Sequence, residues 1–115
     1  MENINIIRGD TKKLKFIRKD NNDETILIQP DNIYFSVKDN TKTKIIKIQK
    51  TLEDMEFNQE TGEYTFTILP SDTNELSYAT YKYDLEVKDG ENYIQTIALG
   101  DFVVEEEVTF ADNEV

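Results

Sequence analysis

The stretch that most constrains the fold is residues 76–87, LSYATYKYDLEV, which contains the clearest strand pattern in the chain. From position 81 onward the odd positions are aromatic or aliphatic, and the even positions are Lys82, Asp84 and Glu86. A period of two places these two sets on opposite faces of a β-strand. We therefore predict a strand that packs one face against a core and leaves the other face in water.

The residues just before this strand have the spacing of a tyrosine corner. In a tyrosine corner, the hydroxyl of a Tyr at the start of a strand forms a hydrogen bond with a backbone group a few residues upstream. This motif is typical of Greek-key β-sandwiches. Leu76, Ala79 and Tyr81 fit the spacing. We expect the Tyr81 hydroxyl to bind a backbone group a few residues before it.

Other short alternating segments recur along the chain at intervals of roughly 8–12 residues, with turn residues between them and no helix-length periodic segment. The predicted strands are 3–7, 12–18, 25–29, 33–39, 44–51, 64–69, 76–87, 93–99 and 102–104. We also expect one short helical turn near 71–76, with Ser71 or Asp72 as its N-cap, and a bulge at Gly100-Asp101. This pattern predicts an all-β fold, an immunoglobulin-like antiparallel β-sandwich with Greek-key connections and about 7–9 short strands.

The chain length of 115 residues suits a single domain with its own core. We predict that residues 1–104 form the sandwich and that residues 105–115 form an acidic, partly ordered tail. The residues predicted to form the structural core are Phe16, Phe35, Val37, Phe66, Ile68, Tyr81, Tyr83, Leu85 and Val87. Val108 and Phe110 are the candidate interaction residues, because an unpaired C-terminal segment can add a strand to the sheet edge of a neighbouring copy.

The chain contains no Cys and no His. Disulfides, thiolate zinc sites and thiol nucleophiles are therefore excluded, and only carboxylate, Lys or Tyr chemistry is left. No pair of carboxylates has apolar neighbours that would raise the pKa of one of them. We predict no enzyme, no catalytic residue, no cofactor and no metal site.

Three motifs allow a functional interpretation beside a structural one. Residues 20–24, DNNDE, are oxygen-rich but lack the Gly and the distal Glu of an EF-hand loop, which favours a solvated turn over a calcium site. Residues 8–10 form the RGD tripeptide that integrins bind, but Gly9 and Asp10 are also residues that a tight turn favours. Tyr34, Tyr78 and Tyr93 could line a ligand surface, although tyrosines in sandwiches more often pack in the core or across strands.

The net charge of −11 disfavours nucleic acid and anionic membrane as partners. Residues 1–50 carry 11 basic and 7 acidic side chains, whereas residues 51–115 carry 2 and 17. A solvated charged surface explains this asymmetry, and the alternative is that complementary faces dock identical copies or a partner. The N-terminus lacks the basic region and long apolar run of a signal peptide, so we expect synthesis in the cytoplasm.

Several segments together carry a family resemblance: RGDT running into Leu14 and Phe16, DNIYFSVK at 31–38, QKTL at 49–52, PSDT at 70–73, YKYDL at 81–85 and GDF at 100–102. The chain resembles small phage and prophage proteins, and is similar to the immunoglobulin-like N-terminal domain of baseplate upper proteins from phages of Gram-positive bacteria. The likeness covers nearly the whole chain and rests on strand and turn patterns. The baseplate proteins continue into long C-terminal regions with receptor-binding modules, whereas this sequence ends at Val115.

The resemblance implies a non-enzymatic structural or assembly module of a virion tail or baseplate. Such a module would be made in the cytoplasm, assembled into the virion and held there by docking to other tail proteins or to copies of itself. A carbohydrate- or cell-surface-binding module is the alternative, because β-sandwiches support both functions. An exposed aromatic platform beside amides and carboxylates would favour a glycan, and an apolar patch or unpaired edge strand would favour assembly.

Overall fold

The computed structural model describes residues 3–107, which form two β-sheets packed face to face. Apart from a 3-10 turn at Leu52–Asp54, the elements in chain order are β1 (Ile4–Ile7), β2 (Lys12–Ile17), β3 (Asn32–Lys38), β4 (Ile48–Thr51), β5 (Glu56–Asn58), β6 (Glu63–Ile68), α1 (Pro70–Thr73), β7 (Ala79–Asp89) and β8 (Tyr93–Glu105).

The two sheets contain five and three strands. The larger sheet has the order β1-β8-β7-β3-β4, and the smaller has the order β2-β6-β5. Hairpins join β3 to β4, β5 to β6 and β7 to β8, while the other connections cross between the sheets. Neighbouring strands are antiparallel except β1 and β8, which pair in parallel. The predicted all-β, immunoglobulin-like sandwich is confirmed.

The core lies between the inward faces of the two sheets. Eight of the nine predicted core residues are buried there, and Phe16 is half-buried at its border. Ile33, Tyr64, Phe102 and Val104 complete the centre of the core together with Ile6 and Ile48. Because β3, β6 and β7 each alternate buried and more exposed positions, each strand contributes every second side chain to this core.

The tyrosine corner is present as predicted. The Tyr81 hydroxyl donates a hydrogen bond of 2.9 Å to the carbonyl oxygen of Ser77, while its ring is buried in the core. Burial raises the pKa of Tyr81 above its ordinary value. The bond therefore fixes the chain at the point where it enters β7.

Replacing Tyr81 with Phe is expected to lower the free energy of unfolding by about 1 kcal/mol, because the Ser77 carbonyl loses its donor while the ring stays packed. Urea unfolding of the variant and the parent measures this difference. Equal midpoints and equal slopes for the two proteins would contradict a stabilising corner.

Two predicted strands differ from the structure. The segment 25–29 makes a single bridge, between Thr25 and Lys19, and is otherwise not a strand. Pro30 ends it after a few residues, and Ile28 is 82% exposed, so its alternation does not pack against a sheet. The strand predicted at 44–51 covers only Ile48–Thr51, because the residues before it form a loop.

The irregular features also lie elsewhere than predicted. The register of the β7–β8 hairpin shifts between Leu85 and Glu86, opposite Ile97, instead of at Gly100-Asp101. The helical turn begins at Pro70, and the Asp72 carboxylate accepts a hydrogen bond of 2.7 Å from the N–H of Leu69, which is the N-cap. Proline suits the first helical position because its φ is already helical and it has no N–H to satisfy.

Strand β8 continues through Glu105, so the sandwich extends one residue beyond the predicted boundary at 104. Residues 108–115 lie outside the described residues, and with them the predicted interaction residues Val108 and Phe110.

Candidate docking surface

The solvent-facing side of the five-stranded sheet, called the outer face below, presents one continuous row of side chains across four strands. Cross-strand pairing places Gln49 opposite Ser36, Ser36 opposite Asp84, and Asp84 opposite Leu99. The outer positions alternate with the buried core positions of the same strands. In the middle of the row the surface is depressed, because the Ser36 side chain is small and only 9% exposed. Leu99, at the end of the row, is 59% exposed and projects into solvent.

This height difference produces a trough in the outer face. Two adjoining grooves of about 240 and about 320 Å³ share Ser36, Lys38 and Asp84 as their common floor. Leu99 borders the first groove and Ile46 borders the second. The trough is therefore a shallow polar depression between two exposed aliphatic side chains.

The charged residues of the outer face are only partly neutralised. Lys82 and Asp101 sit opposite each other on β7 and β8 and form an ion pair. The half-buried carboxylates of Asp84 and Glu86 form no ion pair with any residue of 3–107. Negative charge is thus left free near the middle of the sheet.

The connection between β3 and β4, residues 39–47, supplies the opposite charge and is called the lysine loop below. The Asn40 side-chain oxygen accepts hydrogen bonds from the N–H groups of Lys42 and Thr43 at 2.9 and 3.1 Å, which gives the loop a defined shape. Lys42 and Lys44 are exposed and form no ion pair within the described part of the chain. Between these lysines and β4, Ile45 is 67% exposed.

The two sets of charges are separated along the strand direction. The lysine loop follows Lys38, at the end of β3 that pairs with Lys82 of β7. Glu86 pairs with Tyr34, toward the other end of β3. The outer face is therefore basic at the lysine-loop end and acidic around Glu86, beyond which Lys88 is exposed on the same face.

A second polar cluster, the Arg8 clamp, lies where the chain leaves β8 and consists of Arg8, Leu76, Tyr78 and Glu107. The Arg8 guanidinium donates to the Glu107 carboxylate at 2.6 Å, to the Tyr78 hydroxyl at 2.8 Å and to the Leu76 carbonyl at 3.2 Å. It also lies 4.3 Å from the centre of the Tyr78 ring. The Tyr78 hydroxyl donates to Glu107 at 3.0 Å, so the clamp ties the residues after β8 to the β1–β2 turn.

The clamp makes the domain sensitive to acid. The hydrogen bond from Arg8 holds the pKa of Glu107 below its ordinary value, and the same bond raises the pKa of Arg8. A carboxyl group with a depressed pKa contributes stability above its unfolded-state pKa and loses that stability as the pH falls through its folded-state pKa.

We expect the parent protein to lose unfolding free energy faster than a Glu107→Gln variant as the pH falls through and below the ordinary glutamate range. Thermal melting at a series of pH values measures the two curves. Parallel curves over the whole acid range would show that the clamp carboxylate does not contribute.

The other residues singled out from the sequence are widely distributed. Tyr34 lies half-buried on the outer face, and Tyr93 begins β8, where its hydroxyl donates to the Gln95 side chain at 2.6 Å. Asp20 accepts hydrogen bonds from the N–H groups of Asn22 and Glu24 at 2.8 and 3.0 Å, in agreement with the turn interpretation. Among residues 3–107, no group of three or more acidic side chains is placed to hold a metal ion.

The RGD tripeptide lies in the turn between β1 and β2. Gly9 has a φ of 87°, and the Asp10 N–H donates to the Ile7 carbonyl at 3.0 Å, as expected for a tight turn. Because the Arg8 side chain is held by the clamp, the tripeptide serves the structure of this end of the domain.

The outer face itself was not predicted from the sequence. Its row brings together residues from four strands, and sequence periodicity gives no cross-strand register. Two features of the sequence could have indicated this face: the polar residues Ser36 and Lys38, which alternate with Phe35 and Val37, and the four lysines in residues 42–50.

Comparison with known proteins adds no relative. No protein-family model and no curated protein matches the chain. None of the helices in residues 3–107 has the length and apolar character needed to cross a membrane.

Proposed function

We propose that the protein is a structural or assembly module of a phage or prophage tail or baseplate, and that it acts by docking its outer face onto another protein. The observation that carries the docking function is the combination of exposed aliphatic side chains with unpaired charges around the trough. Leu99 and Ile46 are 59% and 42% exposed, and Asp84 and Glu86 have no ion-pair partner in residues 3–107. Aliphatic contact with a polar, charged rim is the composition of protein–protein interfaces.

The free sheet edges are less suited to docking than the outer face. One edge strand of the smaller sheet is β2, which carries Lys12, Lys13 and Lys15. Lysines on an edge strand oppose the addition of a further strand. The other edge strands, β1, β4 and β5, have only four, four and three residues, so they offer few backbone groups. A side-chain interface on the outer face is therefore favoured over strand addition.

The virion context is supported by the family resemblance of the strand and turn segments. A carbohydrate-binding module is the second candidate. It is favoured by the groove that holds Tyr34 beside Gln49, Asp84 and Glu86, because hydroxyl, amide and carboxylate groups bind sugar hydroxyls. It is disfavoured because Tyr34, the aromatic residue of that groove, is half-buried, while the exposed Tyr78 and Tyr93 do not line it.

The test is to look for the chain in assembled particles. Particles produced by the encoding strain, purified by density gradient and analysed by mass spectrometry, are expected to contain this protein in a fixed ratio to the tail proteins. A strain with the gene deleted is expected to yield incomplete or non-adsorbing particles. Complete, infectious particles that lack the protein would overturn the virion role, and saturable binding of purified cell-wall polysaccharide to the isolated domain would support the second candidate.

A further inference from the structure

We propose that the partner of the outer face is the outer face of a second copy of this chain. This inference rests on the proposed docking function and names its partner. The lysine loop of each copy would lie against Asp84 and Glu86 of the other copy, with Leu99 and Ile46 in the apolar part of the contact.

The charges of the outer face are self-complementary. In a twofold dimer, both copies use the same patch. A contact from one residue of the first copy to another residue of the second copy is therefore repeated with the two copies exchanged. A twofold axis that lies in the interface and runs across the strands reverses the strand direction of the second copy. The basic end of one outer face then meets the acidic part of the other, twice in one dimer.

The charged groups that such a dimer would use are unpaired within the described residues. Lys42 and Lys44 form no ion pair in residues 3–107, and the same holds for Asp84 and Glu86. By contrast, Lys82 and Asp101, which also lie on this face, are already paired within the chain. The Lys42 and Lys44 side chains are long and exposed, so they can reach carboxylates across an interface.

The face is large enough for a specific contact. The molecule measures 51 × 34 × 23 Å along its principal axes. A standard interface buries about 800 Å² on each partner. Five strands about 4.8 Å apart, of which β7 has 11 residues at about 3.3 Å each, give the larger sheet an area of roughly that size. The net charge of −11 on each copy opposes association, but salt screens charges beyond about 8–10 Å, while ion pairs at contact are affected less.

A charge-swap experiment tests the proposal. One variant carries Lys42→Glu and Lys44→Glu, and the other carries Asp84→Lys and Glu86→Lys. Sedimentation velocity over a concentration series is expected to show a parent dimer, and each variant alone is expected to associate at least about tenfold more weakly because like charges face each other twice. An equimolar mixture of the two variants is expected to form a heterodimer at least as well as the parent forms a homodimer.

Matched variants control for net charge. Lys13→Glu with Lys15→Glu gives the same change in charge as the first variant, and Glu56→Lys with Glu60→Lys gives the same change as the second. All four positions lie on the smaller sheet or its β5–β6 turn, so these control variants are expected to dimerise as the parent does. Thermal melting of every variant confirms that each one is folded before association is measured.

A parent protein that stays monomeric at the highest concentration overturns the self-docking proposal, and so does a mixture of the two variants that fails to pair. Equal weakening by the control variants overturns it too, because the effect would then be one of net charge. A monomeric protein that is nevertheless found in purified particles leaves the virion role intact and rejects only the second copy as partner. A charge-swapped dimer that is absent from particles supports the self-docking and rejects the virion role.

Discussion

Replacing Phe35 with Ala is expected to lower the free energy of unfolding by about 3–5 kcal/mol. Phe35 lies at the centre of the core with 1% of its surface exposed. Its ring centre is 4.8 Å from that of Phe66, 5.6 Å from that of Tyr83 and 6.3 Å from that of Phe102. The ring therefore joins β3, β7 and β8 of the larger sheet to β6 of the opposite sheet.

The size of this loss in unfolding free energy follows from the buried ring that the substitution removes. Removing a buried aromatic ring loses its transfer free energy and leaves a cavity, because the surrounding sheets relax only partly. A loss of about 3–5 kcal/mol is a large share of the roughly 5–15 kcal/mol that stabilises a typical domain. The variant is expected to be close to unfolding at physiological temperature.

Guanidinium unfolding followed by far-ultraviolet circular dichroism measures the loss. Ile28→Ala is the control, because Ile28 is 82% exposed and does not line the outer-face grooves, and it is expected to change stability by at most about 0.5 kcal/mol. A loss in Phe35→Ala no larger than that in Ile28→Ala would contradict the central position of this ring.

The elements predicted best from the sequence are those whose pattern is set by their own residues. In β3 and β7, aromatic and aliphatic side chains alternate with polar ones, and the structure buries the apolar positions on both strands. The Tyr81 corner could also be recognised, because its geometry is local and joins residues four positions apart. For such elements, strand periodicity and the core face follow from the sequence alone.

The elements predicted poorly depend on partners far away in the chain. Segment 25–29 alternates like a strand, but no neighbouring strand pairs with it beyond the bridge at Thr25. The opposite error occurs at β5, which has three residues and weak alternation and is a strand because it pairs with β6. The outer-face trough likewise depends on cross-strand register, which puts Ser36 between Gln49 and Asp84.

The contact made by segment 25–27 explains why it is ordered without being a strand. The β5–β6 turn packs against it at Gly62, which has a φ of 78°. A β-carbon at Gly62 would lie 2.4 Å from Cγ2 of Thr25 and 3.2 Å from Cδ2 of Leu27. The absence of a side chain at this glycine is therefore what lets the two loops touch.

Replacing Gly62 with Ala is expected to lower the free energy of unfolding by about 2–4 kcal/mol. Part of the loss, about 1–2 kcal/mol, is the cost of a left-handed backbone conformation for a residue with a β-carbon. The rest is the displacement of Thr25, whose branched side chain is stiff and cannot rotate away freely.

Two further variants separate these contributions. Gly90 has a φ of 73° and nothing within 4 Å of its β-carbon position, so Gly90→Ala is expected to cost only the conformational part, about 1–2 kcal/mol. Combining Gly62→Ala with Thr25→Ala is expected to recover the steric part, because the nearest atom is removed, and a double-mutant cycle measures that coupling. Equal losses in Gly62→Ala and Gly90→Ala, with no coupling to Thr25, would show that the turn does not depend on this close contact. A loss in Gly62→Ala that Thr25→Ala relieves would show that the segment between β2 and β3 is held by packing against the β5–β6 turn.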